Sequence, residues 1–475
     1  MSSVSALNSL LSSTSTSTSG IDISSILQAA TGSSSSGIDV TSAVNSAITA
    51  AQAPETAWEN QQTTLQSQST ALTQIQTDAT NLDNDMQALN SLTGPLSART
   101  VTSSNSNVVT ASAASGSTAG NHIVVVNGVA TTASWASGPV ASATTPLAAG
   151  SFTITGANGT VTTISTGTGT STLNDVATTI NSDNLGVTAS VITDANGARL
   201  AIVSNTSGQA ANFTVSSPTG GSLSFSQAVT GQNASLTVDG ITLASASNTV
   251  TGAVAGVTFN LLNASPGTNV SLTIAPDTSQ ATTAINQFVT DYNKAISDLN
   301  TQFTFSGTSE GVLATDSAVR SLQMTLESAV SYTNSPASGS TTVSNLSSLG
   351  ISVNNDGTMT LNSATLSNAL QSNYNDVQNF FQGTSLNGFA NSLDQQLTSY
   401  ISPADGAFTV DLQSISSEEN DLQTDINNFE TNYITPLRAQ LQSEYSQAEI
   451  LLQQLPTEMQ QINTELGLNN NNSSS

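Results

Sequence analysis

The chain has 475 residues and a net charge of -26; charged residues make up 8% of it, thirty-one acids against five bases, where an ordinary soluble domain carries roughly a quarter. The bases Arg99, Arg199, Lys294, Arg320 and Arg438 are scattered, so no basic patch exists to neutralise phosphates or hold an anionic membrane face, which excludes nucleic-acid and lipid-headgroup binding. Without cysteine there is neither a disulfide nor a thiolate metal site.

The length allows about three domains and an ample apolar core. Solubility rests on Ser, Thr, Asn and Gln, so subunit contacts are expected to use apolar packing and neutral hydrogen bonds. The first residues lack the basic and apolar regions of a secretory signal. No apolar run approaches the roughly 18 residues needed to span a membrane. The protein is then either cytoplasmic or extracellular, exported without a cleaved signal peptide, and the composition favours the second.

Residues 1–53 are low in complexity. Gly20-Ile21-Asp22-Ile23-Ser24-Ser25 recurs as Gly37-Ile38-Asp39-Val40-Thr41-Ser42, each copy setting a capping residue before a short helix-compatible stretch. From Glu55 to Leu92 the apolar residues Trp58, Leu65, Leu72, Ile75, Ala79, Leu82, Met86, Leu89 and Leu92 recur mostly at three- or four-residue steps, predicting a helix of roughly 50 Å that ends at Gly94-Pro95.

Between Val101 and Ala275 the period switches to two. Strands are predicted around Ile123 to Val126, Phe152 to Ile154, Val187 to Ile192, Leu200 to Val203, Leu236 to Val238 and Val257 to Leu261. Turns are predicted at Asn127-Gly128, Asn158-Gly159, Asn196-Gly197, Asp239-Gly240 and Pro266-Gly267. One amphipathic helix, Ser171 to Asn181, interrupts them.

Helix returns after Asp277, a candidate N-cap, with a stripe of Ile285, Phe288, Tyr292, Ile296, Leu299 and Phe303. A further helix carries Val319, Leu322 and Leu326. A hairpin fits Ile351 to Leu361 around Asp356-Gly357, and more helix follows from Ser363 to Tyr400. In the last segment Leu412, Ile415, Glu419, Leu422, Ile426, Phe429 and Tyr433 step by three and four. Ala448, Leu452, Leu455, Met459, Ile462 and Leu466 resume that alternation, which predicts a coiled-coil seam. Pro436 and Pro456 are expected to kink or break it.

No catalytic constellation accompanies this framework. Gly307-Thr308-Ser309-Glu310-Gly311 has the G-x-S-x-G spacing of a nucleophile elbow, but that fold needs a His after the Ser, and the only His, His122, lies upstream. A lone His at a strand head reads as structural. Gly167-Thr168-Gly169 lacks a Walker Lys, and Asp194 to Gly197 lacks the closing Glu of a calcium loop. Glu418-Glu419 and Asp83 with Asp85 read as solvated helix faces. Trp58 and Trp135 are isolated and mark no glycan platform. The expectation is a non-enzymatic protein with no cofactor and no metal.

Three stretches resemble the flagellar filament cap, the FliD or hook-associated protein 2 family. The first is Gly37-Ile38-Asp39-Val40 with the helix through Ala53-Pro54. The second runs from Leu236-Thr237-Val238-Asp239-Gly240-Ile241 through Asn248-Thr249-Val250 and Gly256-Val257-Thr258-Phe259 to Phe288-Val289-Thr290-Asp291-Tyr292-Asn293, and resembles the flagellin IN motif and the helix after it. The third is Leu349-Gly350-Ile351-Ser352-Val353 with Asn355-Asp356-Gly357-Thr358-Met359, followed by Phe380-Phe381 and the heptad tail. Gly311-Val312-Leu313-Ala314-Thr315-Asp316 also fits the family.

The resemblance implies an α+β multidomain fold, with long antiparallel helices or a coiled coil from both termini packed together and discontinuous β-rich domains inserted between. The expected division is a mobile segment at 1–56 with short helices that pair with the C-terminus, and a helical stem at 57–100 and 277–410. A β-rich domain follows at 101–145 and 231–276, with an outer one at 146–230. Heptad helices and a disordered tail close the chain at 411–475.

Also implied are a ring-shaped homo-oligomer at the distal filament tip, pentameric in the best-known members, partnership with flagellin and the hook-filament junction end, and an export chaperone. Candidate oligomer or filament contacts are Leu412, Ile415, Leu422, Ile426, Phe429, Leu452, Leu455, Met459, Ile462, Leu466, Ile38 and Val40. A flagellin-like or other hook-associated axial protein, and a surface adhesin for host glycans, are the competing readings.

Overall fold

The structure, a computed structural model, describes residues 39–465 apart from 168–170, 217–218, 222, 305–310 and 335–341, and apart from the side chains of Leu452, Leu455 and Asn463. The first repeat copy, Ile38, Leu466 and most of the Gly307 to Gly311 string lie outside the described residues. The chain divides into two compact units. One gathers residues 1–80, 294–326 and 396–475, the other 81–293 and 327–395.

In chain order the helices α1 (Val40–Ala51) and α2 (Ala53–Asn90) come first. Strands β1 (Arg99–Ser103), β2 (Val109–Ala113), β3 (Gly120–Gly128) and β4 (Thr132–Ser137) follow, then β5 (Gly150–Thr155) and β6 (Val161–Thr166). Helix α3 (Leu173–Ser182) precedes β7 (Val187–Asp194), β8 (Gly197–Ser207), β9 (Thr214–Val215), β10 (Thr219–Gly220) and β11 (Phe225–Val229). Then come β12 (Ala234–Val238), β13 (Ile241–Ser245), β14 (Thr249–Val254), β15 (Val257–Leu261) and β16 (Val270–Pro276). Helices α4 (Thr278–Phe303) and α5 (Ser317–Ala329), the hairpin β17 (Ile351–Val353) and β18 (Met359–Leu361), and helices α6 (Ser363–Ser372), α7 (Tyr374–Gln382) and α8 (Phe389–Ile401) come next. The chain closes with α9 (Ala407–Phe429), a π-turn at Glu430–Ile434, and α10 (Thr435–Glu465).

In the larger unit, β1-β16-β3-β12-β13 form one antiparallel sheet and β14-β15-β2 a second. Alternation decides their faces: Val124, Val126, Leu236, Val238, Leu272 and Ile274 share one core with Val257, Phe259 and Leu261. A second core lies among the sheets β11-β4-β8-β7 and β10-β5-β6, closed by α3 through Leu173, Val176 and Ile180. Thr172 caps α3, and its own N–H donates to the Asp175 carboxylate, a complete capping box.

The turn at Asp239-Gly240 is a two-residue hairpin between β12 and β13, with both residues at positive φ, 50° and 84°, as the primed turns require. Its Asp239 Oδ1 accepts the Ile123 N–H at 2.9 Å, and its Oδ2 lies 2.7 Å from His122 Nδ1. The single His therefore ties a turn to the neighbouring strand. That hydrogen bond, with the Ile123 amide, holds the Asp239 carboxyl below the usual range.

Asn127-Gly128 is not a turn. It ends β3, where Gly128 pairs with Ser235 across a register shift. The chain continues into β4, and Asn248 clasps the connection, its side chain donating to the Ala130 carbonyl at 2.9 Å. Both neighbours of β3, β12 and β16, come from more than a hundred residues downstream, so no local strand returns to form a hairpin.

The helical layer of this unit packs Phe288, Phe380, Phe381 and Phe389 into a buried aromatic cluster, Phe380 and Phe389 stacked at 5.5 Å. Asn293 donates to the Met359 carbonyl at 2.8 Å, fixing the β17–β18 hairpin to α4. Gln382 donates to the Leu89 and Ser91 carbonyls at 3.2 and 3.0 Å and so closes the end of α2. Asp83 and Asp85 do not form a solvated face: Asp83 is buried and Asp85 half-buried. They flank the Leu82, Met86 and Leu89 stripe, and helices cover α2 on both sides of it.

Candidate assembly surface

The terminal helices lie in the smaller unit. Asp39 caps α1, its Oδ1 accepting the Ser42 N–H at 3.1 Å and its Oδ2 the Ser42 hydroxyl at 2.6 Å. Those bonds hold its carboxyl below the ordinary range. Helix α1 then buries Val44 and Ile48 against Ile434 of the π-turn, with Val40, Phe429, Leu437, Leu441 and Tyr445 around them. Ala43 and Ala47 leave room for the helices to approach. The pair runs antiparallel, Arg438 Nη1 donating to Asn45 Oδ1 at 3.3 Å.

The first part of α2 pairs antiparallel with α9. Trp58 meets Phe429 edge-on at 5.5 Å, Gln61 donates to Glu418 Oε1 at 3.1 Å, Gln62 to Gln423 Oε1 at 3.1 Å, and Gln76 to Thr409 Oγ1 at 3.4 Å. Leu65 and Leu72 of α2 and Leu422 and Ile426 of α9 are buried. The hydrogen bonds come from uncharged amides, as a chain with few bases dictates. Lys294 bridges Asp78 and Asp298 at 2.9 Å each. Burial outweighs the ammonium and raises the Asp78 carboxyl above its ordinary value.

The seam changes register at Glu430–Ile434. Tyr433, expected to continue the three-four alternation after Phe429, is 51% exposed, while Ile434 is fully buried. A π-turn holds one residue more than an α-turn, so the inward position moves on by one. Pro436 therefore does not break the helix. It has no N–H to give, and its ring crowds the carbonyl four residues earlier; that carbonyl, on Asn432, belongs to the widened turn. Pro456 does not end α10 either: in a 31-residue helix one backbone bond is forgone and the rest continue.

Of the seam residues, Val40 and Phe429 join the Ile434 cluster, and Leu412 and Ile415 are half-buried. Met459 and Ile462 stand more than half exposed on α10. Ile450 and Leu451 of the same helix are exposed to the same degree; sequence reasoning passed over them because they fall between heptad positions. Beyond Tyr445, α10 thus extends for about 30 Å with large apolar side chains facing water. Among the described residues no helix is long and apolar enough to cross a membrane.

Comparison with known proteins follows the same lines. The family model for the flagellar hook-associated protein 2 C-terminus matches residues 231–457, and that for its N-terminus residues 36–133. The flagellin hook IN motif matches residues 151–206, not the stretch from Leu236 to Phe259 to which its likeness was assigned above. Both stretches are strand–turn–strand patterns around an Asn-Gly or Asp-Gly turn, which is why their sequences read alike.

The chain is 28% identical over 347 residues to the B-type flagellar hook-associated protein 2 of Pseudomonas aeruginosa, covering 66% of this chain and 72% of the relative. It is 27% identical over 326 residues to flagellar hook-associated protein 2 of Escherichia coli, covering 63% and 68%. The crystal structure of the D1-D2-D3 domains of the Escherichia coli flagellar cap protein FliD superposes with a TM-score of 0.58 at 27% identity, over 73% of this chain and 99% of that one.

Proposed function

The chain belongs to the flagellar hook-associated protein 2 family, and on that premise we propose that it caps the flagellar filament as a closed ring held together through its terminal helices. The family is one of structural cap proteins, and the work is steric and conformational rather than catalytic. The ring stands at the distal tip, retains exported flagellin and gives each subunit an enclosed place to fold and join the filament. A ring of five, export without a cleaved signal and a dedicated export chaperone are the finer parts of this reading, supported by family membership.

The observation that carries the assembly mechanism is the exposed apolar run of α10. Ile450, Leu451, Met459 and Ile462 lie beyond the point where α1 stops covering the helix. Burying a Leu-sized side chain is worth about 1.5–3 kcal/mol, so four such residues per subunit favour association with neighbouring subunits or the filament end. None of the hydrogen bonds described for this surface pairs a base with an acid, which leaves few ion pairs to break when the cap shifts.

Electron microscopy tests the reading. Antibody against the chain should label filament tips alone, and the purified chain should show small closed rings. Label distributed along the shaft, or growth of open filaments from the purified chain, would identify an axial subunit instead.

A further inference from the structure

Capping makes no use of four carboxylates, one buried and three half-buried, in the helical layer of the larger unit. On α2, Asp83 is only 6% exposed and faces Asp394 of α8, while Asp85 faces Asp291 of α4, each pair within hydrogen-bonding reach. Asp83 Oδ1 and Asp85 Oδ2 are sealed from solvent and accept no hydrogen bond.

The neighbouring polar groups are few. Gln87 of α2 donates to Asp83 Oδ2 at 2.8 Å, and Gln287 of α4 donates to Asp291 Oδ2 at 2.8 Å. Tyr292 of α4 is buried, and Glu327 of α5 acts on its hydroxyl. None of these is a cation, and among the described residues the ion pairs are those of Lys294 and His122, at other sites.

Asp85, Asp291 and Asp394 are half-buried, but two facing carboxylates withdrawn from water without a cation repel each other and cannot both stay ionised cheaply. One proton between them turns the repulsion into a hydrogen bond and gives the sealed oxygens a donor. A divalent cation would do the same only with more oxygen ligands, and among the described residues no group of three acidic or imidazole ligands exists.

We propose that the two pairs are proton clamps: one proton shared between Asp83 and Asp394 and one between Asp85 and Asp291 fasten α2 to α8 and α4, and their loss loosens this helical layer. The device is independent of ring formation. Burial first, and the opposing carboxylate second, push Asp85 up to about 7 and Asp83 up to about 6. Each proton belongs to its pair rather than to one residue.

The sign follows from these raised values. Between about pH 4 and pH 7 the folded chain keeps protons that the unfolded chain has released, so stability falls as pH rises through this window and levels off above it. A shift of one unit is tenfold in the folding constant, so from pH 5 to pH 8 the expected loss is about tenfold from the Asp83 pair and about a hundredfold from the Asp85 pair, about a thousandfold together.

The test is urea unfolding of the full chain from pH 5 to pH 8, alone and as Asp85→Asn, Asp83→Asn and, as a control for net charge, Asp183→Asn on an exposed surface. An Asn amide carries the donor that the shared proton supplies. Both buried variants should flatten the pH dependence and exceed the parent at pH 8, while the control keeps the parental slope. Parallel slopes for all four proteins would overturn the proposal.

Should the buried variants fail to fold, calorimetry of parental refolding at pH 6.5 in two buffers of different ionisation enthalpy decides it. Uptake of about one proton supports the clamps, and no uptake overturns them. Stabilisation by millimolar calcium at pH 8 that Asp85→Asn abolishes would also overturn them, in favour of a cation.

Discussion

The indole of Trp58 meets the ring of Phe429 edge-on, with centroids 5.5 Å apart, where α2 crosses the end of α9. Phe429 in turn stacks on Tyr433 at 5.1 Å and joins the cluster that α1 covers. The contact therefore ties α2 to the pair formed by α1 and α10. Trp58→Ala removes the ring pair and its burial, and should cost the smaller unit about 2–3 kcal/mol. Thermal unfolding of the full chain should show that loss in one transition, with the other unaffected.

The π-turn makes a sharper prediction from two adjacent residues. Ile434→Asp places an unpaired charge in the sealed contact with Val44 and Ile48 and should cost about 3 kcal/mol or more. Tyr433→Asp, on the exposed side, should stay within about 0.5 kcal/mol of the parent. An uninterrupted α-helix would predict the reverse, so circular dichroism melts of the two variants distinguish the registers.

The clasp between His122 and Asp239 has an acid signature. Asp239 is held below its ordinary value, first by its hydrogen bond with His122. Its contribution is therefore complete above the unfolded carboxyl value of about 3.9 and is lost as pH falls through the lower folded value. Asp239→Asn keeps a residue suited to positive φ but removes the charge-assisted bond. It should cost about 0.5–1.5 kcal/mol at neutral pH and reduce the acid sensitivity of the β unfolding transition below pH 4.

Two substitutions on α10 separate folding from assembly. Met459→Asp with Ile462→Asp alters side chains that already face water, so the melting temperature of the isolated chain should not change. Sedimentation velocity should nevertheless show the assembled species replaced by monomer. Unchanged assembly would remove this face from the interface.

Much of the fold was legible because its signals are local. Asp277 caps α4 as expected, accepting the Ser279 and Gln280 N–H groups at 3.1 Å each, and the two-residue alternation located the strands around Phe152, Leu200 and Leu236. Misreadings arose where distant contacts decide. Asn127-Gly128 has turn composition, but the partners of β3 arrive from far along the chain. The π-turn adds one residue that no period announces, so Tyr433 was put in the place that Ile434 takes.

Asp83 and Asp85 looked like surface residues because charge is ordinarily solvated. Only the packing of α4 and α8 against α2 reveals Asp83 as buried and Asp85 as half-buried. In the candidate surface, the apolar positions of α9 and α10 were readable from heptad spacing, but which of them face water depends on where α1 ends.

Deletion of the gene, with flagellin assayed in the culture medium and the cells examined by electron microscopy, tests the capping account most directly. The account predicts monomeric flagellin in the medium and cells bearing hooks with little or no filament, restored by the parental gene. Full-length filaments with no leaked flagellin would contradict it.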